Sequence, residues 1–150
     1  MLGNEERAEG CIEIEHVGKN FIRDEETLEV LKDISFTVKK GEIVVIVGSS
    51  GCGKSTLLRA VAGLDLQHTG SIRIDGDEVT GVDKSRGMVF QEHRLFPWMT
   101  VQQNIAYALT GVPKAEKKAR AASCIKKVSL QGFENALPKQ LSGGMAQRAG

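Results

Sequence analysis

The run Ile43-Val44-Val45-Ile46-Val47 leads straight into Gly48-Ser49-Ser50-Gly51-Cys52-Gly53-Lys54-Ser55, and this junction restricts the fold more than any other part of the chain. Five β-branched residues in a row predict a strand buried on both faces, as in a parallel sheet covered by helices. The eight residues that follow fit the pattern G-x-x-x-x-G-K-[ST]. With average residue usage, its four fixed positions match by chance in about one chain of this length in two hundred. Leu57 to Ala62 then reads as helical. Strand, glycine-rich loop and helix follow one another as an α/β unit requires.

The chemistry of such a loop is phosphate binding. Glycines let the backbone wrap an anion so that several N–H groups point inward, and the helix start adds partial positive charge. In a phosphate loop Lys54 reaches the β- and γ-phosphates, Ser55 ligates Mg²⁺, and Thr56 lies near the α-phosphate. The plainer alternative is a glycine-rich turn between strand and helix.

The flanking segments are half-buried in pattern. Cys11 to His16 alternates apolar and acidic residues, as a strand does, and Leu31, Ile34, Phe36 and Val38 repeat that period less strictly. Ser71–Ile74 and Val79 flank an Asp75-Gly76 turn, which predicts a hairpin. Met88-Val89-Phe90 reads as a short strand. Beyond Gln91 the pattern becomes helical. Thr100 can cap a helix with Val101, Ile105 and Leu109 on one face, and Gly111-Val112-Pro113 breaks it. A second helix is expected from about Lys114 to Leu130, with Ala121, Ile125 and Val128 inward and Gly132 as its stop. These readings give a tail over 1–10, an α/β core over 11–91 and a helical part over 92–150.

Charge and cysteine usage narrow the function classes. The 20 Lys+Arg and 19 Asp+Glu give a formal charge of +1, unlike a strongly basic nucleic-acid binder. Residues 1–111 hold 12 basic and 17 acidic side chains, a net of −5, and residues 112–150 hold 8 and 2, a net of +6. The basic excess reads as a solvated helix face, with an acidic or phospholipid partner as the alternative. Cys11, Cys52 and Cys124 fit neither a disulfide framework nor a zinc site, so a reducing cytosol is expected. His16, His68 and His93 are too scattered for a ligand cluster. The first ten residues have no apolar core, so no secretory signal is expected, and the longest aliphatic run is far short of the roughly 20 residues a membrane span needs. Contact with a membrane would come through a partner.

A second motif, Leu141-Ser142-Gly143-Gly144-Met145-Ala146-Gln147-Arg148, follows the loop downstream. Together the two resemble the ATP-binding-cassette (ABC) ATPases, a resemblance that extends from about Cys11 to Arg148. It implies a P-loop NTPase fold of the α/β class: a RecA-like core, an antiparallel β part and a helical subdomain. It further implies that Phe21 stacks on adenine and that Gln91 contacts Mg²⁺ and the attacking water. Gly48, Ser49, Ser50, Gly51, Cys52, Gly53, Lys54, Ser55 and Thr56 would bind ATP. Ser142, Gly143, Gly144 and Gln147 would meet the γ-phosphate held by a partner subunit, so that two ATP molecules lie between two chains. By itself, Phe21 also fits a core or loop aromatic, and Gln91 a residue that merely closes a strand.

The stretch Gln91-Glu92-His93-Arg94-Leu95-Phe96-Pro97-Trp98-Met99-Thr100-Val101-Gln102-Gln103-Asn104-Ile105, with Leu137-Pro138-Lys139-Gln140, looks like the importer branch for nitrate, taurine and aliphatic sulfonates. That resemblance implies a second ATPase subunit, an integral membrane permease near Trp98, a solute-binding protein acting through the permease, and a peripheral place on the cytoplasmic face of the membrane. Trp98 also fits a packed aromatic inside the helical part. The family's Walker B strand, four apolar residues then Asp-Glu, does not occur in the 150 residues, nor does its switch histidine. The chain therefore reads as the N-terminal portion of an ABC ATPase, and the catalytic glutamate is missing from it. The other readings are a nucleotide-binding fragment without turnover and a non-transport ABC protein. Gln91 to Ser142 spans only 51 positions, too few for the coiled-coil insertion of the DNA-repair and chromosome-maintenance members.

Overall fold

A computed structural model describes residues 11–150; the tail expected over 1–10 lies outside them. Strands β1 (Ile12–Arg23), β2 (Glu26–Val38), β3 (Thr69–Ile74) and β4 (Asp77–Glu78) form one antiparallel sheet in the order β2-β1-β3-β4. The helices are α1 (Lys54–Val61), α2 (Val101–Ala108), α3 (Lys114–Lys127) and α4 (Gly143–Ala149). The chain divides into two compact units, one up to Met88 and one from Val89 to Gly150. Met88 thus closes the first unit, while Val89, Phe90 and Gln91 belong to the second.

β1 and β2 run longer than their alternation predicted, and three register shifts, between Ile14 and Val17, Val17 and Lys19, and Lys19 and Asn20, break the period. His16 and Asp33 both adopt positive φ, 51° and 47°, and the β1–β2 pairing shifts register between Ile14 and Val17. A bulge adds one residue and swaps the faces beyond it. The inward set therefore passes from Ile14 to Val17 and Lys19 on β1, and on β2 from buried Leu31 to the partly buried Ile34 and Phe36. His16 Nδ1 and Asp33 Oδ1 meet at 2.6 Å across the paired bulges. Gly70 of β3 runs so close beneath that a Cβ there would stand 2.2 Å from the Glu15 carbonyl oxygen. At the far end, Asp24 and Glu25 (φ 50° and 67°) make the two-residue turn, with positive φ at both positions as such hairpins require.

The first core gathers Ile14, Val17, Leu31, Ile72 and Val79 of the sheet region against Leu57 and Ala60 of α1. The Asp75-Gly76 hairpin forms as the sequence predicts. Two expected strands do not. Ile43–Val47 is unpaired, with Ile43, Val45 and Val47 each more than three-quarters exposed, and Met88–Phe90 is likewise irregular. A strand is defined by its hydrogen-bonded neighbours, and among the described residues no segment pairs with either run. Ile12, Ile14, Phe36, Val38, Val44, Ile46 and Leu57 line an open apolar cleft between sheet and α1.

In the second unit α2 starts where expected. The Thr100 Oγ1 accepts from Gln103 N at 3.3 Å while Gln103 Oε1 accepts from Thr100 N at 2.8 Å, a reciprocal cap. Val101, Ile125, Leu130 and Ala149 form the core, with Ala121 also buried. α3 ends earlier than Gly132. Ser129 takes φ 55°, and Leu130 N donates to Ile125 O at 3.0 Å, a left-handed stop that a non-glycine residue provides here. None of the described helices is long and apolar enough to cross a membrane.

Candidate functional site

Gly53 is where the phosphate-type loop meets the sheet. It takes φ 94° as the residue before α1, a backbone conformation that costs glycine little. A Cβ there would lie 2.8 Å from Val30 O and 2.9 Å from Leu31 Cδ2. Glycine is thus required twice, for conformation and for space. Gly51 is also left-handed, at φ 85°, but faces open space. At Gly48 an added Cβ would stand 2.6 Å from Cys52 Sγ. Cys52 N donates to Ser49 O at 3.4 Å, closing the loop, and Leu57 N donates to Gly53 O at 2.9 Å, opening the helix.

The Lys54 side chain folds back over this loop. Its Nζ donates to Gly48 O at 2.8 Å and to Ser49 O at 2.5 Å, with Cys52 Sγ at 3.5 Å. Gly48, Ser49, Ser50, Gly51, Cys52 and Ser55 are exposed and Thr56 is half-buried. The ammonium and the loop backbone therefore stand together at an accessible helix start, an arrangement suited to an anion of several oxygens.

Phe21 lies on β1 opposite Leu28 and is 42% exposed. Its neighbour on the strand is Lys19, a residue outside every motif of the sequence. Lys19 is buried, its Nζ donates to Asp65 Oδ1 at 2.8 Å, and the same ammonium lies 5.1 Å from the centroid of the Phe21 ring. The hydrogen bond from Lys19 is the main cause that holds the Asp65 carboxyl below the ordinary carboxylate range, helped by a second from Gln67 N. Val17, Lys19 and Phe21 at period two carry a signal for a lysine at an inward strand position. The bulge at His16 hides it, because inward residues are even-numbered before it and odd-numbered after.

Gln91, Ser142, Gly143, Gly144 and Gln147 all belong to the second unit and are exposed. Ser142 caps α4, its Oγ accepting from Met145 N at 3.3 Å. Gln147 Nε2 donates to Phe90 O at 3.0 Å, so the helix after Ser142 is tied to the backbone next to Gln91. Trp98 is 69% exposed, which sets aside the packed-aromatic alternative. Its ring and that of Tyr107 flank Phe96, at centroid distances of 5.5 and 4.9 Å from it.

The ABC transporter family matches residues 31–150. An aliphatic sulfonates import ATP-binding protein of Bacillus cereus is 47% identical over 137 residues, 91% of this chain and 54% of the relative. A nitrate import ATP-binding protein of Synechocystis is 45% identical over 139 residues, 91% of this chain and 52% of the relative. Among solved structures, the dimeric MJ0796, a bacterial ABC transporter cassette, superposes with a TM-score of 0.81 at 34% identity, over 92% of this chain and 66% of that one. Its post-hydrolysis state with bound ADP and Pi gives a TM-score of 0.80. The chain spans about half the length of the curated relatives it matches. With a family match over residues 31–150 and relatives sharing almost half of their aligned residues with it, the chain belongs to the ABC transporter family.

Proposed function

We propose that this chain is the nucleotide-binding portion of an ATPase subunit that energises an importer of nitrate, sulfonates or a similar small anion. The observation that carries the reading is the loop at α1: Gly53 wedged against β2, an exposed glycine-rich turn, and Lys54 held over it. In this reading the phosphates displace the Gly48 and Ser49 carbonyls from the Lys54 ammonium, and loop N–H groups take up the remaining oxygens. Phe21 offers its ring to the base. The exposed hydroxyl of Ser55 is a hard oxygen donor fit for Mg²⁺, with the carboxamide of Gln91 as a further donor, and the metal would neutralise charge on the terminal phosphates. Ser142, Gly143, Gly144 and Gln147 would face the nucleotide of a second subunit. Phe96, Pro97 and Trp98 would meet an integral permease on the cytoplasmic side of the membrane, and a solute-binding protein would act through that permease.

Turnover needs a residue to orient water and a carboxylate to help hold the metal. Beyond Gln91 the chain offers only Glu92, Glu116 and Glu134. Glu116 is paired with Arg120 at 2.6 Å on exposed α3, and none of the three ends a buried strand. The 150 residues alone are therefore expected to bind ATP without hydrolysing it at a useful rate, each tenfold loss being about 1.4 kcal/mol of barrier. Phosphate release from the 150-residue chain, beside a longer chain carrying a Walker B strand, tests this. Steady Lys54-dependent release from the shorter chain would overturn it. Uptake of nitrate and of an alkanesulfonate, with and without the full-length subunit, tests the importer reading, and unchanged uptake of both would sink it.

A further inference from the structure

Lys19 places a charge where β1 presents a core position. Only 5% of its side chain is exposed, and a buried ammonium is costly unless its charge and its N–H groups are met. Here Asp65 Oδ1 meets one N–H at 2.8 Å and the face of Phe21 meets the charge at 5.1 Å. Asp65 lies in the loop after α1, beyond Ala62, Gly63 and Leu64, and its Oδ1 also accepts from Gln67 N at 3.1 Å, which holds the carboxylate in place. One ammonium thus joins the strand that carries Phe21 to the loop leaving the helix that begins at Lys54.

We propose that Lys19 is a positioning residue for the nucleotide base: pinned by Asp65, it sets the Phe21 ring as a platform in register with the phosphate loop. This rests on the reading of Phe21 as the base-stacking residue. The ammonium lies over one face of the ring, Phe21 is 42% exposed, and the planar base would stack on the other face. Base and phosphates are then held by β1 and α1, and the Lys19–Asp65 pair fixes the span between them. A lysine acting only as core filler would affect every ligand equally, whereas a positioning lysine affects only ligands that carry a base.

Calorimetric titration of the chain with ATP and with inorganic tripolyphosphate, which has no base, separates the two. Lys19→Met and Phe21→Ala are each expected to weaken ATP binding about fivefold, as loss of a cation–π contact or a stacking face does. Both should leave tripolyphosphate binding within about twofold, and the double variant should be no weaker than either single one, because the two residues act as one unit. Lys19→Arg, which keeps the charge, should restore ATP binding. If Lys19→Met does not fold, Asp65→Asn removes the anchor and should give the same ATP-only loss. ATP binding unchanged by Lys19→Met but weakened by Phe21→Ala would overturn the role of Lys19 and leave the Phe21 reading standing. ATP binding indifferent to Phe21→Ala would overturn both. Equal losses for ATP and tripolyphosphate would reduce Lys19 to a structural residue.

Discussion

Gln147 Nε2 donates to the Phe90 carbonyl at 3.0 Å, joining residues 57 positions apart. The bond ties the second turn of α4 to the residue before Gln91, so two motifs distant in sequence share one local frame. The contact is exposed, and one such bond contributes about 1 kcal/mol or less. Gln147→Ala should leave the fold intact and speed amide exchange at Gln91 and Glu92, as seen by hydrogen-exchange mass spectrometry. Exchange there as slow as in the wild type would mean that the bond carries no restraint.

Lys54 is the one side-chain cation held over the loop of residues 48–53 among the described residues. Lys54→Ala should weaken ATP binding at least about tenfold, roughly 1.4 kcal/mol. A fluorescent ATP analogue gives the two dissociation constants. If they agree, the phosphates do not sit at this loop.

The three thiols differ in access: Cys11 is buried, Cys124 half-buried and Cys52 exposed beside the Lys54 ammonium. Maleimide should therefore modify Cys52 first, and Mg-ATP should slow that reaction by covering the loop. Peptide mapping over time measures both rates. Labelling of Cys52 at one rate with and without nucleotide would argue against phosphate binding there.

Asn104 is a buried residue whose carboxamide organises the loop before α2. Oδ1 accepts from Phe96 N at 2.8 Å, and Nδ2 donates to Met99 O at 3.0 Å and Thr100 O at 3.1 Å. Asn104→Ala leaves these backbone groups without their partner and should cost about 2 kcal/mol. Urea denaturation followed by the fluorescence of Trp98 reads the change, since that tryptophan lies in the same unit. An unaltered midpoint would show that water replaces the carboxamide at no cost.

Trp98 stands exposed next to Pro97, with its ring against Phe96. In the full-length subunit, Trp98→Asp should change stability by no more than about 0.5 kcal/mol, as for other surface substitutions. ATP binding should persist while uptake falls. Undiminished uptake would overturn the proposed contact of Trp98 with a permease.

Features that depend on residues close along the chain were legible in the residue order alone. The loop of residues 48–55, the cap at Thr100, the Asp75-Gly76 hairpin and the inward face of α3 all follow from local spacing, because each is set by hydrogen bonds or helical period within a few residues. On α2 the buried residues are Val101 and Asn104, and the expected Leu109 lies past the helix end. The resemblance to the ABC family rested on two such local motifs, and the family match agrees with it. Tertiary structure decided the rest. Whether Ile43–Val47 is a strand depends on neighbours that pair with it, and an apolar run cannot name its own partners. The burial of Lys19 depends on the bulge at His16, which reverses the faces of β1, and on Asp65, 46 residues away. The stop of α3 at Ser129 rather than Gly132 is of the same kind, since the packing of Ile125 and Leu130 in one core sets where the helix must turn. Local hydrogen bonding can be read from residue order, whereas the side of a strand that is buried is a property of what packs against it.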